Sequence, residues 1–443
     1  MTKKKILLLA YNFPPFIRAS SMRTWGWFEN FSSDVDVTVI TRNWKQDEIY
    51  TTTNYFQEDD SQKIKEDYAS GKVIIRIPNK YNFYFRIKNN SVLLKLKLNK
   101  LFTFFEMIVK WLPLVYFDNE RSLYKEAKEI LKTEKFDWVI ASGEPFILFK
   151  YAILLKKEFG IKTCLDYRDG FSTNMFRNMS PNLIERTILN RDRGFEKKFL
   201  QSTDLVSFVS NKLRDEVHSS VLNFSSEKVV IINNGFDQEV TKVDSLSSSF
   251  EIDKNYFNLM FVGTLYEGHK IDILLSACND LILKKRFNIK LVFVGSLISC
   301  PNWHKKLLLD FQEKLPENIQ FIDYVKNSEA KFLQTQASVL LKFNAFEQHE
   351  GHFGKKLYEY AYSGKKVISI NFSSSFKNIL NFFDDRPFVY YCNDSEDIKR
   401  RISEFYILWM EKKEITNGIS PNELNEFSTL FQTKKLEQKL LNL

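Results

Sequence analysis

The sequence predicts an α/β protein of two Rossmann-like, doubly wound domains facing a shared cleft. At 443 residues the chain is too long for one ordinary core. Short, continuously apolar runs alternate with helical patterns along most of it, as expected of strands buried on both faces. One stretch, residues 238–255 ("QEVTKVDSLSSSFEIDKN"), lacks periodicity, is rich in Ser and Asp, and interrupts the alternation, which then restarts. Two successive βαβα series place ligands outside the carboxyl ends of the strands.

In the first series the strand-like runs are "KILLLAYNF" (5–13), "VDVTVIT" (35–41), "KVIIRIP" (72–78), "DWVIASG" (137–143), "TCLDYRD" (163–169), "LVSFVS" (205–210) and "KVVIINN" (228–234). Residues 120–133 and 181–200 carry helical patterns between them. The second series contains "FNLMFVGTL" (257–265), "IKLVFVGS" (289–296), "IQFIDYV" (319–325), "SVLLKFN" (338–344), "KKVISIN" (365–371) and "PFVYYCN" (387–393). The expected division is residues 1–238, a linker at 239–255, residues 256–425, and a C-terminal helix, 426–443, placed to pack back on the first domain.

Hydrophobic residues make up 44% of the chain and charged residues 27%, which excludes a disordered protein. Net charge is +9, and residues 80–110 hold seven basic residues against the single acid Glu106. Within them, residues 92–112 ("VLLKLKLNKLFTFFEMIVKWL") read as an amphipathic helix. Leu94, Leu98, Leu101, Phe102, Phe105, Ile108, Val109 and Leu112 lie on one face, and Lys95, Asn99, Thr103, Glu106 and Lys110 on the other. Basic charge with Phe and Trp favours an anionic membrane surface as the partner of residues 80–112; a core-facing helix gives the same stripe. No nucleic-acid motif accompanies the charge, so nucleic acid is not an expected partner.

The four cysteines, Cys164, Cys278, Cys300 and Cys392, show no CxxC spacing, which suits a reduced, cytoplasmic chain without a structural metal. The basic, then apolar opening "MTKKKILLLAYNF" has an apolar run only a strand long, and no run approaches the ~20 apolar residues of a spanning helix. A soluble or peripheral protein is expected from these features. His349 and His352 are the only close histidine pair, without an evident third ligand, so no metal is expected.

The stretch "EGHFGKKLYEYAYSGKKVISI" (350–370) places glycines, a short helix and a strand in succession, with Lys355 and Lys356 at the helix N-terminus. That end is already partly positive, so lysines there favour an anion such as a pyrophosphate. Glu359, one turn on, is positioned for a ribose diol; a solvated i, i+4 Lys355–Glu359 pair is the plainer reading. In "FVGTLYEGHK" (261–270) a strand ends at Gly263, where a small residue admits a ligand, and Lys270 follows; an ordinary strand-to-helix turn fits equally. Neither GxGxxG nor GxxxxGK[ST] occurs. "DYRDG" (166–170) puts two acids and an arginine at a strand end, suited to sugar hydroxyls or proton transfer, or to mutual neutralisation. "YNFPPFIRASSMRTW" (11–25) follows another strand as a proline-stiffened loop.

In order and spacing these segments resemble the GT-B glycosyltransferases of family 4 (glycosyl transferases group 1), and within it the bacterial branch serving capsule and lipopolysaccharide synthesis. "YNFPP" with Arg23 resembles that branch's opening strand and loop, "SGEPF" (142–146) its SGPPF element, and "DYRDG" its D-F-R-D-P-W element. "INNGFD" (232–237) resembles its P-N-G-x-D turn, and "FVGTL" with "GKKLYEYAYSGKKVI" its donor site.

The resemblance implies metal-independent, retaining transfer of a sugar from a nucleotide-sugar donor, UDP- or GDP-linked, to a glycan or lipid-linked acceptor in surface polysaccharide synthesis. No cofactor is implied. An epimerase or hydrolase on the same fold, and a catalytically degenerate glycan- or partner-binding subunit, are the alternatives. Donor binding would involve Gly263, Thr264, Lys270, Gly354, Lys355, Lys356, Leu357, Glu359, Ser20 and Ser21, with Lys356 and Lys270 on the diphosphate and Glu359 on the ribose. Asp169 and Arg168 would work near the transferred sugar together with Glu350, and Arg23, Ser142 and Gly143 would lie on the acceptor side. Three positions depart from the family pattern. The first acid of its Glu-x7-Glu pair falls on Gly351, one residue after Glu350; the arginine usual after "VG" is Thr264; and the first loop, "FIRASS", has no glycine.

Overall fold

The computed structural model describes residues 3–16, 19–45, 59, 61–80, 104–106, 109–112, 115–116, 118–173, 183–236, 250–297, 300–344, 355–370, 388–413, 415–420 and 422–443. They divide into one unit of Met1–Gly235 with Thr429–Leu443, and a second of Phe236–Ser428.

In the first unit β1 (Lys4–Leu9), β2 (Val35–Arg42), β3 (Ile64–Tyr68), β4 (Lys72–Ile77), β5 (Trp138–Ser142), β6 (Lys162–Tyr167), β7 (Leu205–Phe208) and β8 (Val229–Ile231) form one sheet. Their order is β3-β4-β2-β1-β5-β6-β7-β8. Only β3 with β4 is antiparallel among the described strands. Helices α1 (Ala19–Asn30), α2 (Arg121–Thr133), α3 (Ile147–Phe159), α4 (Leu183–Ser202) and α5 (Asn211–Ser220) connect the strands. Alternate strand residues feed two apolar layers: Leu7, Leu9, Val139 and Leu165 on one face, and Ile6, Leu8, Trp138 and Ile140 on the other. Burial on both faces explains the unbroken apolar runs in the sequence.

The second unit holds β9 (Phe257–Val262), β10 (Ile289–Val294), β11 (Ile319–Ile322), β12 (Val339–Phe343), β13 (Val367–Ile370) and β14 (Val389–Cys392). Their order is β11-β10-β9-β12-β13-β14, and every described pairing is parallel. This is the third-second-first-fourth-fifth-sixth order of a dinucleotide-type sheet, whose direction of winding reverses between β9 and β12. Connecting helices are α6 (Ile271–Leu283), α7 (Asn302–Lys314), α8 (Asn327–Gln336), α9 (Lys355–Tyr362) and α10 (Ser395–Met410). The last helix, α11 (Thr429–Asn442), belongs to the first unit. Leu436 and Leu440 join Trp27, Phe28 and Trp138 in its core, and the Trp138 indole donates to the Leu440 carbonyl at 3.1 Å. Gly235, where the chain leaves the unit, has no room for a side chain: a Cβ would lie 2.6 Å from the Thr429 nitrogen.

Several elements differ from the sequence reading. Strand β3 is missing from it because "IKEDY" is solvent-facing on both sides and carries no apolar alternation. The run "KVVIINN" narrows to Val229–Ile231, since the carbonyls of Ile232 and Asn233 accept hydrogen bonds from Arg23 instead of continuing a ladder. "TCLDYRD" ends as a strand at Tyr167, leaving Arg168 and Asp169 in the loop. The boundary between units falls before Phe236, whose ring packs on Tyr362 at 4.6 Å and whose N–H donates to the Phe427 carbonyl. At the other end of the expected linker, Ile252 is buried in the second unit and the Asp253 carbonyl holds the Asn258 side chain, so residues 250–255 belong to that unit. Residues 237–249 lie outside the described residues.

Most of the helix expected over residues 92–112 also lies outside them. Among its described residues, Phe104, Phe105 and Leu112 are exposed. Trp111 is not a surface aromatic: it is buried, its Nε1 donates to Asp192 Oδ1 at 2.7 Å, and its ring meets Phe171. No helix among the described residues is long and apolar enough to cross a membrane.

Candidate functional site

The carboxyl edge of the second sheet gathers basic side chains where β9 and β12 part. Strand β9 ends at Val262, and the Gly263 N–H donates to the Val294 carbonyl at 2.9 Å, while its own carbonyl accepts from Ser296 Oγ at 2.8 Å. Gly263 takes φ +124°, a conformation that L side chains rarely adopt. From α9, Lys356 reaches back over this turn. Its Nζ sits 4.7 Å from the centre of the Phe261 ring and 2.6 Å from where a Gly263 Cβ would stand. Leu357, Tyr358 and Ala361 on the buried side of α9 lock the helix into the apolar layer with Met260, Val262 and Leu340. Leu357 is thus a packing residue, and only its backbone is left to meet a ligand.

Burial pulls the Lys356 ammonium down to about 8, with the Glu359 carboxylate opposing that drop. Lys342, on β12, is pulled down further, to about 7, first by burial and then by repulsion from Lys356. The sequence reading missed Lys342, although a lone lysine within the apolar run "VLLKF" was a visible anomaly.

His269 was missed too. It is buried, stacks on Phe343 at 5.4 Å, and accepts the Tyr266 N–H at Nδ1 (3.2 Å), closing the loop after Gly263. Its carbonyl accepts from His304 Nε2 at 2.9 Å. Burial, then Lys356, His304 and Lys342, drive its pKa down to about 3, so the imidazole is neutral and adds no charge. Lys270 stands at the N-cap of α6, and Thr264 is half-buried in the same loop. Glu350, Gly351 and Gly354 lie outside the described residues, as does the Lys355 side chain.

In the first unit the winding reverses between β1 and β5. A shallow, open pocket lies there, lined by Ala10, Tyr11, Asn12, Ser20, Thr24, Ser142, Glu144 and Arg168. Ser20, Ser142 and Arg168, singled out separately in the sequence, therefore meet. The Arg168 Nε donates to the Gly143 carbonyl and its Nη2 to Glu144 O at 3.1 Å, which fixes the guanidinium across the loop after β5. Asp169 is exposed and is not among the residues lining the pocket, and Ser21 is fully buried.

Arg23 lies beneath this mouth, not in it. Its Nε and Nη2 donate to Asp166 Oδ2 (3.2 Å) and Oδ1 (2.8 Å), and its Nη1 to the Ile232 (2.7 Å) and Asn233 (3.1 Å) carbonyls. Ser142 Oγ and Ser207 Oγ complete the Asp166 shell at 2.8 and 2.6 Å. Asp166 is fully buried, so the first acid of "DYRDG" is a structural anchor joining β5, β6, β7 and α1.

The two doubly wound units have the fold of the GT-B glycosyltransferases. Residues 243–418 match the family model described as Glycosyl transferases group 1. Among solved structures, the chain is similar to sucrose-phosphate synthase from Thermosynechococcus elongatus, at 13% identity and TM-score 0.64, over 99% of this chain and 100% of that one. HepE of Anabaena in complex with UDP-glucose matches at 12% identity and TM-score 0.60, over 99% and 100%. An α,α-trehalose-phosphate synthase (UDP-forming) from Burkholderia xenovorans, in complex with glucose-6-phosphate, matches at 10% identity and TM-score 0.59, over 99% and 100%. No match was found among curated protein sequences.

Proposed function

We propose that the chain is a retaining glycosyltransferase of family 4 that moves a sugar from a nucleotide-sugar donor onto a glycan or lipid-linked acceptor during capsule or lipopolysaccharide synthesis. One observation carries the donor half. Lys356 lies over a glycine with no side chain, at the point where the second sheet's winding reverses, which is where doubly wound sheets take nucleotides. As the sugar–phosphate bond breaks, negative charge grows on the departing diphosphate and positive charge on the anomeric carbon. A fixed ammonium beside the N–H groups that begin α9 stabilises that diphosphate. Glu359 faces the ribose, and Lys270 supplies a further charge. A uridine nucleotide is the first donor to try, because HepE was solved with UDP-glucose.

Acceptor binding is assigned to the pocket of the first unit, with Arg168 and Ser142 in its wall and Asp169 on the adjoining loop. The basic, aromatic segment 80–112 supports a peripheral position on an anionic membrane, on the cytoplasmic face. The test is a panel of UDP- and GDP-sugars, screened by thermal stabilisation and then by transfer to lipid-linked acceptors, with wild type beside Lys356→Ala and Glu359→Ala. Stabilisation by one donor, lost in both variants along with transfer, supports the reading. Normal turnover in both variants removes the site assignment. Unchanged sedimentation with anionic liposomes after replacing Lys95, Lys97 and Lys100 removes the membrane part.

A further inference from the structure

We propose that Lys342 is a further diphosphate-binding cation beside Lys356, supplied from strand β12 in place of the basic residue that the loop after β9 lacks at Thr264. This rests on the donor reading above and adds a residue to it.

The first support is position. Lys342 is the penultimate residue of β12, the strand paired with β9 across the reversal of winding. Its strand neighbours Leu341 and Phe343 enter one apolar layer, whereas Leu340 enters the layer shared with α9. By the twofold alternation of a strand, Lys342 shares the face of Leu340 and therefore points toward α9 and Lys356.

The second support is that no acid acts on Lys342. The Lys342 ammonium donates to the Asn344 side-chain oxygen, a neutral amide whose Nδ2 in turn donates to Ser369 Oγ at 2.8 Å. Among the described residues no carboxylate stands within ion-pair distance of Lys342 or Lys356, while the two ammonium groups repel each other. His269, the other titratable group facing them, is neutral, and Glu359 acts on Lys356. Two part-buried lysines held together, with Glu359 acting on Lys356 and no acid acting on Lys342, are a standing cost to the free protein. An anion carrying two or more charges relieves both terms at once, and a diphosphate does so at the edge where Gly263 leaves backbone space.

The third support is chemical economy in the loop. Thr264 brings a hydroxyl and no charge to the turn beyond Gly263. A strand lysine on the other side of the reversal restores a cation without needing the loop to carry it.

The experiment measures binding of UDP, GDP and uridine by calorimetry to wild type, Lys342→Met and the double variant Lys342→Met with Thr264→Arg. Methionine keeps the length of the stem and suits an apolar strand. The expected result is UDP or GDP affinity lowered about ten- to a hundredfold in Lys342→Met, as for loss of a charge-assisted bond, with uridine binding unchanged. Thr264→Arg should recover at least about tenfold of that loss, and Lys342→Met without ligand should melt no lower than wild type. Nucleotide affinity in Lys342→Met within about twofold of wild type overturns the proposal while leaving the donor site standing. A lowered melting temperature with equal loss of UDP and uridine binding overturns it in favour of a structural lysine. Failure of wild type to bind any of the three removes the donor reading itself, and Lys342's role with it.

Discussion

The ammonium of Lys356 occupies the space that a side chain at Gly263 would need, 2.6 Å from where its Cβ would be. The two positions are therefore one device: a strand end stripped to backbone so that a lysine from α9 can lie across it. The device predicts what happens when the space is filled. Gly263→Ala forces an L side chain into φ +124° and pushes the lysine off the Phe261 face. Chemical denaturation should show a loss of about 1–2 kcal/mol, and calorimetry a loss of nucleotide affinity larger than that of uridine. Unaltered nucleotide binding would sink the coupling between these residues.

Stability and nucleotide binding should respond to pH in opposite directions. Lys342, near 7, and Lys356, near 8, both titrate below the unfolded lysine value of 10.5. Between those values the unfolded chain binds more protons than the folded one, so these groups make the free protein more stable as pH rises from about 7 toward 10. Affinity for a diphosphate needs both charges and should fall over the same range. Melting temperatures at pH 7, 8 and 9, with and without UDP, test this: the gap between the two curves should narrow as pH rises. A constant gap would count against both lysines as ligands.

The Arg23–Asp166 pair predicts non-additive mutations. Both side chains are almost completely buried. Arg23→Met strands a carboxylate and should cost about 3–5 kcal/mol in denaturant unfolding. Pairing it with Asp166→Leu removes the stranded charge, so the double variant should lose much less than the two singles combined. Additive losses would mean that the pair has no mutual energy. Arg23→Lys should behave as a damaging change, since an ammonium cannot reproduce the two-pronged contact with Asp166 and still hold Ile232.

Glu196 makes a prediction within the first unit. It is fully buried, accepts the Ser172 N–H at 3.1 Å, and burial raises it to about 7. A carboxyl so raised gives stability that is present below its unfolded value of 4.5 and lost as pH climbs through 7. Glu196→Gln should therefore flatten the fall in melting temperature between pH 5 and 8. Glu120, raised to about 8 by burial and then by Asp118, contributes in both proteins and cancels in the comparison. Identical slopes would exclude Glu196 as a source of the dependence.

The strands buried on both faces were legible because their apolar runs leave no other state open: "FNLMFV" is buried at every position. The edge strand "IKEDY" was not, since pairing with β4 alone dictates it. At the mouth of the second sheet, Gly263 and Lys356 could be singled out locally, each beside a strand or helix end. Lys342 could not be placed, because its meaning depends on two elements that meet only after folding. "DYRDG" shows the same limit from the other side. Asp166 and Arg168 look alike as neighbours in a charged cluster, yet a partner 143 residues away takes the first into the core. Arg168 instead lines the first unit's pocket.

The return of α11 to the first unit bears on how the protein is made. Domains at the front of a chain ordinarily fold as the ribosome releases them. Here the layer around Trp27 and Trp138 includes Leu436 and Leu440, which are synthesised only after the second unit. The first unit must wait, incomplete, with an apolar surface uncovered, while the whole second unit is translated. Its maturation follows translation of the second unit instead of preceding it.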